Sequence, residues 1–338
     1  MKKVNMKLLK KAIIAAIVVV FLFAGYALIP SKKVIDKNLI IEKVEKAKEN
    51  SNANDDILIM AEKGGYLLNP ENTKRAFDSS VKDSTVDIIE LDIRTTADGH
   101  LVIIEDETIN RVALDEDAEP LYVNKTNLTD LQKYNLGKNF KNLDGVYTYR
   151  DSDRFSAQGL TLLTLESFLT NYKSYATSRL YMLDFQEVGA EGKAAVKKAL
   201  ELVESEDFSK YQDSIILSSD DAQMVNWMAK EYSDKYSVCG NGEITEPLLN
   251  ACKLGFKIFN NPVYSVVQYD VKAKGLFGIK FNTARKGFVH KIEEKNIAII
   301  FNNINTKKDV EKVYGIGTHV IGTGNHTLIH TTLNELSK

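Results

Sequence analysis

The chain has 338 residues, 44% of them hydrophobic and 27% charged, with a formal net charge of -2. This composition supports a sizeable packed core and excludes a disordered chain, and the lack of a basic surplus excludes nucleic acid as a partner. Cys239 and Cys252 fit no metal spacing and read as buried free thiols, with a single disulfide as the rival reading.

Residues 12–30 carry no charge over 19 positions. At about 1.5 Å per residue such a helix just spans a hydrocarbon core of about 30 Å. Lys2, Lys3, Lys7, Lys10 and Lys11 precede it and outweigh Lys32 and Lys33 behind it, which predicts a cytoplasmic N-terminus. The expected organisation is a basic cytoplasmic tail (1–11), a transmembrane anchor (12–30), a stalk or linker (31–55) and an extracytoplasmic domain (56–338). Secretion after cleavage near Ala27 is the alternative, since Gly25 and Ala27 are small residues at usable cleavage positions.

Beyond the stalk, strand-like runs are predicted at 57–61, 86–92, 101–104, 180–185, 214–218, 235–239, 256–259, 277–281, 297–301 and 319–321. Helical patterns such as KAAVKKALELVES and DAQMVNWMAKEYS separate many of them, which predicts an α/β fold with a parallel sheet covered by helices. About eight such units suit a closed barrel. The long polar stretch 107–160 follows a strand end, the position of a functional insertion.

Acidic residues stand at the ends of successive strands: Glu62, Glu90 and Asp92 in IELDI, Glu105 and Asp106 in IIEDE, and Asp184 in LYMLDF. In a parallel barrel these ends open on one face. Period-two spacing turns Glu90 and Asp92 to the same side of their strand. Carboxylates so gathered repel one another, which calls for a divalent cation or for retained protons. A single acid at a strand end is otherwise read as a cap or a solvated charge. His100, in the ADGH turn, is expected at the rim opposite the carboxylates; His319, His326 and His330 read as surface or satisfied side chains, although His326 could reach the active rim. Trp227, Met224 and Met228 read as core.

The stretch ILIMAEKGGYLLNPENTKRAF resembles the first strand and loop of the glycerophosphodiester phosphodiesterase family, whose pattern is HRG, five residues, then PENT. Pro70-Glu71-Asn72-Thr73 matches in full, and Glu62-Lys63-Gly64 stands for HRG. IELDIRTTADGHLVIIEDETINR resembles the next block, with Glu105-Asp106 at the HD position, and LYMLDFQE resembles the IExK strand. The resemblance covers nearly all of residues 56–325 and implies a TIM (β/α)8 barrel, which the charge-free run at 12–30 would precede with one N-terminal transmembrane helix. It implies metal-dependent hydrolysis of a glycerophospho- or polyol-phosphate diester, with a small-molecule or lipid-derived phosphodiester as partner. Glu90, Asp92 and Asp184 would hold the divalent metal, Ca2+ or Mg2+; Lys63 and Arg111 would contact phosphate; and Glu62 and Glu105 would take over acid/base work from the family's two histidines. Those replacements, with Lys63 for arginine and Gln186 for lysine, make the site more negative than the family's. The alternative they leave open is a catalytically inactive protein binding a ligand, cation or partner at the outer membrane surface.

Overall fold

A computed structural model describes Val18 and residues 38–50, 57–254, 262–274 and 280–338. The expected anchor lies outside these residues apart from Val18; among the described residues no helix is long and apolar enough to cross a membrane.

Eight parallel strands close into a barrel. They are β1 (Leu58–Ala61), β2 (Ile88–Thr95), β4 (Leu180–Phe185), β5 (Ile215–Ser219), β6 (Ser237–Gly240), β7 (Val266–Tyr269), β10 (Ala298–Phe301) and β11 (Val320–Thr323). β1 pairs in parallel with both β2 and β11, which closes the ring. Among the described residues three further short strands stand outside it. β3 (Leu101–Ile103) folds back antiparallel on β2, and β8 (Lys272–Lys274) with β9 (Lys280–Asn282) forms a separate antiparallel pair.

The ring explains the sequence pattern. Residues facing out from the strands, among them Ile59, Ile89, Leu91, Leu183, Leu217 and Ile299, join the large core shared with the surrounding helices. Those facing in alternate with them: Met60, Ile88, Met182, Ile216, Cys239, Val266, Ile300 and Val320 form an apolar plug in the lower barrel. One period-two step further along, the inward positions become Glu62, Glu90, Asp184, Ser218 and Gln268, so the polarity of the interior switches between one layer of side chains and the next.

The base is closed by the helix Leu39–Asn50, whose Leu39, Ile40 and Val44 pack onto the apolar plug. Asn38 fixes its start: its side-chain amide donates to Ser265 O (2.7 Å) and Asn296 O (3.0 Å), while its Oδ1 accepts from Ile41 N (3.2 Å). Leu39 N donates to Ser237 Oγ at 3.1 Å. The segment expected as a stalk therefore contains part of the barrel's own closure.

Three sequence expectations are corrected. The run at 101–104 forms β3, an antiparallel flap beside the ring. Because β3 folds back, the turn carrying His100 projects beyond the C-terminal end of β2 instead of lying at the opposite rim. Of the run at 277–281, residues 280 and 281 lie in β9, outside the barrel; the rest of that run and the run at 256–259 lie outside the described residues. The barrel strand in that region is β7, whose inward Gln268 interrupts the apolar pattern by which a strand is recognised. The insertion 107–160 builds a small core of its own from Ile109, Ala113, Val123, Leu131 and Leu136 against Val102, Ile104 and Leu162. Cys239 and Cys252 are both buried free thiols, and Met224 and Met228 are core residues.

Candidate active site

β2 and β4 pair with Asp92 directly opposite Asp184, and Glu90 opposite Met182. This register puts two carboxylates side by side on neighbouring strands with Glu90 one step below. Glu62 joins them from the end of β1, and all four are at most 9% exposed. Glu62 Oε1 accepts the Asn303 amide N–H at 2.9 Å, whereas among the described residues its Oε2 is buried with no hydrogen-bond partner, as is Asp184 Oδ1.

Burial dominates their acidity. It pushes Glu62 up to about 7, with Asp270 adding repulsion. Burial and then Asp184 push Asp92 up to about 8, and burial pushes Asp184 up to about 6. Glu90, beneath all of them, is raised well above the usual carboxylate range by burial and by the charges of Asp92, Glu62 and Asp184.

The loop after β1 is shaped by left-handed backbone. Lys63 has φ 52°, Gly64 75° and Gly65 97°. Gly64 has no alternative, since a Cβ there would also meet the Phe77 ring at 2.9 Å. The strained turn at Lys63 aims its backbone N–H at Glu90 Oε2 (3.3 Å) and its Nζ at Glu105 Oε2 (2.5 Å).

The PENT segment also acquires physical roles. Glu71 receives both terminal nitrogens of Arg111 (2.8 and 2.6 Å). Asn72, at φ 56°, donates its amide to Asp92 Oδ2 at 2.7 Å. Thr73 Oγ1 caps the helix Lys74–Ser80 by accepting from Ala76 N. Gln186 donates to Asp184 Oδ2 (2.6 Å) and Asp92 Oδ1 (3.3 Å), satisfying one oxygen of each.

All seven residues singled out from the sequence lie in this neighbourhood, but in two tiers. Glu62, Glu90, Asp92 and Asp184 form the buried floor, and Lys63, Glu105 and Arg111 form a half-exposed rim. Both rim cations already have carboxylate partners. Arg111 Nε binds Asp106 Oδ2 (2.6 Å) and its Nη2 also approaches Glu105 at 3.3 Å, in addition to the fork on Glu71. Burial alone would lift Glu71, yet Arg111 holds it below its ordinary value. Sequence reasoning missed Glu71 and Asn72 as site residues although they sat in a matched motif. It also missed Asp270 and Asn303, of which Asp270 follows the unrecognised strand β7; the Asn303 side chain donates to Asp270 Oδ1 at 3.0 Å.

The histidines stay out of this cluster. His326 is buried against Gly65, with Nε2 3.5 Å from Asp83 Oδ2. His319 accepts from Ile299 N at 3.3 Å, and His100 is exposed beside Asp98.

Among the described residues no three acids already converge on one point as a closed ligand set for a metal. Their chemistry nevertheless fits a hard divalent cation: Glu90, Asp92 and Asp184 offer oxygen donors only, crowded in a buried floor, with Asp184 Oδ1 unpartnered among the described residues.

A family model described as the glycerophosphoryl diester phosphodiesterase family matches residues 63–326. Over 83 residues the chain is 37% identical to a glycerophosphodiester phosphodiesterase of Caldanaerobacter subterraneus, covering 25% of this chain and 32% of that protein. Over 130 residues it is 28% identical to one from Bacillus subtilis, covering 38% and 41% respectively. The chain thus matches less than half the length of these curated relatives. Among solved structures, a glycerophosphoryl diester phosphodiesterase domain from Mycobacterium tuberculosis superposes with a TM-score of 0.63 at 16% identity, covering 82% of this chain and 99% of that one. An Oleispira antarctica phosphodiesterase, solved with the product sn-glycerol-3-phosphate, gives 0.59 at 14% identity, covering 82% and 96%. At such identities these structures speak for the fold.

Proposed function

Because the chain belongs to the glycerophosphoryl diester phosphodiesterase family, we propose that it hydrolyses a glycerophospho- or polyol-phosphate diester with a divalent metal, using glutamates in place of histidines. The observation that carries this reading is the buried floor of Glu62, Glu90, Asp92 and Asp184 at the C-terminal mouth of the barrel. Glu90, Asp92 and Asp184 would hold the cation, Ca2+ or Mg2+, which when bound supplies positive charge to the phosphoryl oxygens. Without added cation, one unit charge repels another at 4 Å by about 4 kcal/mol at an effective dielectric of 20, so an anionic diester would be resisted.

Glu62 and Glu105 divide the proton work by environment. Buried Glu62 holds a proton near neutrality; its Oε1 is committed to Asn303 N–H, so the proton sits on Oε2, the atom free to donate to a leaving alkoxide. Glu105 is accessible and paired with the Lys63 ammonium, which suits a base accepting a proton from the attacking water. Lys63 and Arg111 contact phosphate only by exchanging carboxylate partners for it. Residues 12–30 would anchor the barrel in a membrane, a reading supported by their charge-free run and by the lysines ahead of them.

That saturation of Lys63 and Arg111 favours a second reading, a non-catalytic barrel that binds a cation or ligand. Purified protein assayed on bis(p-nitrophenyl) phosphate and glycerophosphodiesters, with Ca2+, Mg2+, Mn2+ or chelator, decides between them. Metal-dependent turnover that is lost in Glu105→Gln, and lost on the glycerophosphodiesters in Glu62→Gln, supports the enzyme. Tight metal binding without turnover in any metal supports the binding protein.

A further inference from the structure

Between Asp270 and Glu293 the chain holds 22 residues with six lysines or arginines and no acid, in a protein of net charge -2. This segment leaves the C-terminal end of β7, so it stands on the mouth side of the barrel. It forms the β8–β9 hairpin and runs into the helix Lys286–Glu293. Asp270 connects it to the floor, since its carboxylate accepts from the Asn303 side chain and the Asn303 backbone N–H bonds Glu62.

The hairpin has an apolar face and a cationic one. Ala273 and Phe281 lie opposite each other in register and pack on the main core, where Phe281 meets the Phe288 ring at 5.8 Å. Strand alternation turns Lys272, Lys280 and Asn282 the other way, and all three are exposed. Arg285, stacked over the Phe281 ring at 5.5 Å, and Lys286 follow and are exposed too. Among the described residues Lys272, Lys280, Arg285 and Lys286 have no carboxylate partner, whereas the rim cations Lys63 and Arg111 are held by Glu105 and Glu71. The register also sets Lys274 opposite Lys280, and like charges paired directly across two strands destabilise a hairpin. Anions bound along this face would relieve that repulsion.

We propose that this basic arm is a binding site for a polyanion of repeated phosphodiesters, and that it holds units neighbouring the one at the carboxylate floor. The substrate is then a poly(polyol phosphate) chain that enters the mouth past β8–β9. A lone diester gains little from exposed cations, because single contacts of that kind are weak in water. A chain with a charge on every unit meets several lysines at once, and each contact after the first is an intramolecular event. That attraction offsets the repulsion which the acid floor sets against an anion. Two observations favour a polymer over a lipid surface. The outward positions Lys272, Lys280 and Asn282 bear charge and an amide but no apolar side chain, and a segment lying in a lipid interface needs both. The helix Leu39–Asn50 also closes the base, with Asn38 pinned to Ser265 O. Only residues 31–37 separate it from the charge-free run 12–30, at most about 25 Å of extended chain. That tether is too short to lead round the helices to the mouth, so in the anchored protein the arm faces away from the membrane.

The proposal rests on the diesterase reading for turnover, and its test reads binding separately. Lys272→Gln, Lys280→Gln and Lys286→Gln are combined in the full chain, held in phosphatidylcholine nanodiscs; all three side chains are exposed. Residues 275–279, which join the strands and lie outside the described residues, keep their sequence. A fluorescent poly(glycerol phosphate) oligomer is titrated by anisotropy at low and raised salt, and kcat/KM is compared between the oligomer and glycerophosphoglycerol. Wild type is expected to bind the oligomer, less tightly as salt rises. The variant is expected to bind it about tenfold or more weakly, with a flatter salt dependence, and to lose a similar factor in kcat/KM relative to the single diester. Lys272→Arg, Lys280→Arg and Lys286→Arg together should keep both properties. Equal losses on oligomer and single diester, unchanged oligomer binding in the glutamine variant, or no oligomer binding by wild type would overturn the proposal. In the last case, capture of wild type by phosphatidylglycerol vesicles that the glutamine variant loses would assign the arm to a lipid surface instead. If wild type turns over neither diester, the diesterase reading fails, while the anisotropy comparison still decides the arm.

Discussion

At the scale of single residues, the site turns on which carboxyl keeps its proton. Glu62→Gln preserves the volume and the acceptor for Asn303 N–H but removes the transferable proton. It should lower kcat by about 10²–10⁴-fold with little change in KM for a diester whose leaving group needs protonation. For p-nitrophenoxide, which leaves unaided, the loss should be much smaller; equal losses on the two substrates would remove Glu62 from the acid role. The alkaline limb of the kcat profile should fall near pH 7, where Glu62 surrenders its proton, and should vanish in the variant. The PENT segment was legible as a motif, but its division of labour was not. Glu71 neutralises Arg111, Asn72 steadies Asp92 and Thr73 caps a helix only because the left-handed turn at Lys63 to Gly65 brings the loop back over the mouth.

At the scale of elements, the helix Leu39–Asn50 is what the sequence least betrayed. Its apolar residues looked like one side of a solvated stalk; they instead meet a ring of inward strand residues drawn from across the chain. Ile40 is fully buried, so Ile40→Ala should cost about 2–5 kcal/mol in denaturant titration. Asn38→Ala, which removes two side-chain donors and a cap, should cost about 1–3 kcal/mol. An unchanged midpoint for both would show that the barrel does not need this closure. A helix pinned in the base also fixes which end is open: the carboxylate mouth lies at the far end of the strands from the point where residue 38 enters.

For the whole molecule, the raised acids make stability depend on pH in a defined sense. Glu62, Asp92 and Asp184 all titrate higher folded than unfolded. Below about pH 4 both states hold these protons and nothing is lost; as pH rises through 6 to 8 the unfolded chain has released them and the folded chain must ionise a crowded floor. Metal-free protein should therefore be less stable at pH 8 than at pH 5, since each carboxyl whose pKa folding raises withdraws stability as pH climbs through that raised value. A divalent cation should recover much of that loss at pH 8 and little at pH 5. Thermal melts with and without Ca2+ or Mg2+ check this, and a stabilisation that ignores pH would place the cation elsewhere.

Local sequence was enough to suggest the alternation of strands and helices, the parallel barrel, the free thiols and the acids Glu62, Glu90, Asp92 and Asp184 at strand ends, whereas Lys63 and Arg111 come only from the family resemblance and Glu105 reaches the rim from the antiparallel flap. Strand-end position and period-two spacing are local properties, and a parallel ring turns them into one shared face. Long-range contacts were needed to divide those residues into a buried, partly protonated floor and a charge-paired rim. The same contacts make β7 complete the ring while the run at 101–104 becomes a flap, and make an expected stalk close the base. Each of these outcomes depends on residues far apart in the chain, such as Asn38 with Ser265 and Glu62 with Asn303. Burial and charge pairing arise only when such residues meet, so no window of sequence contains them.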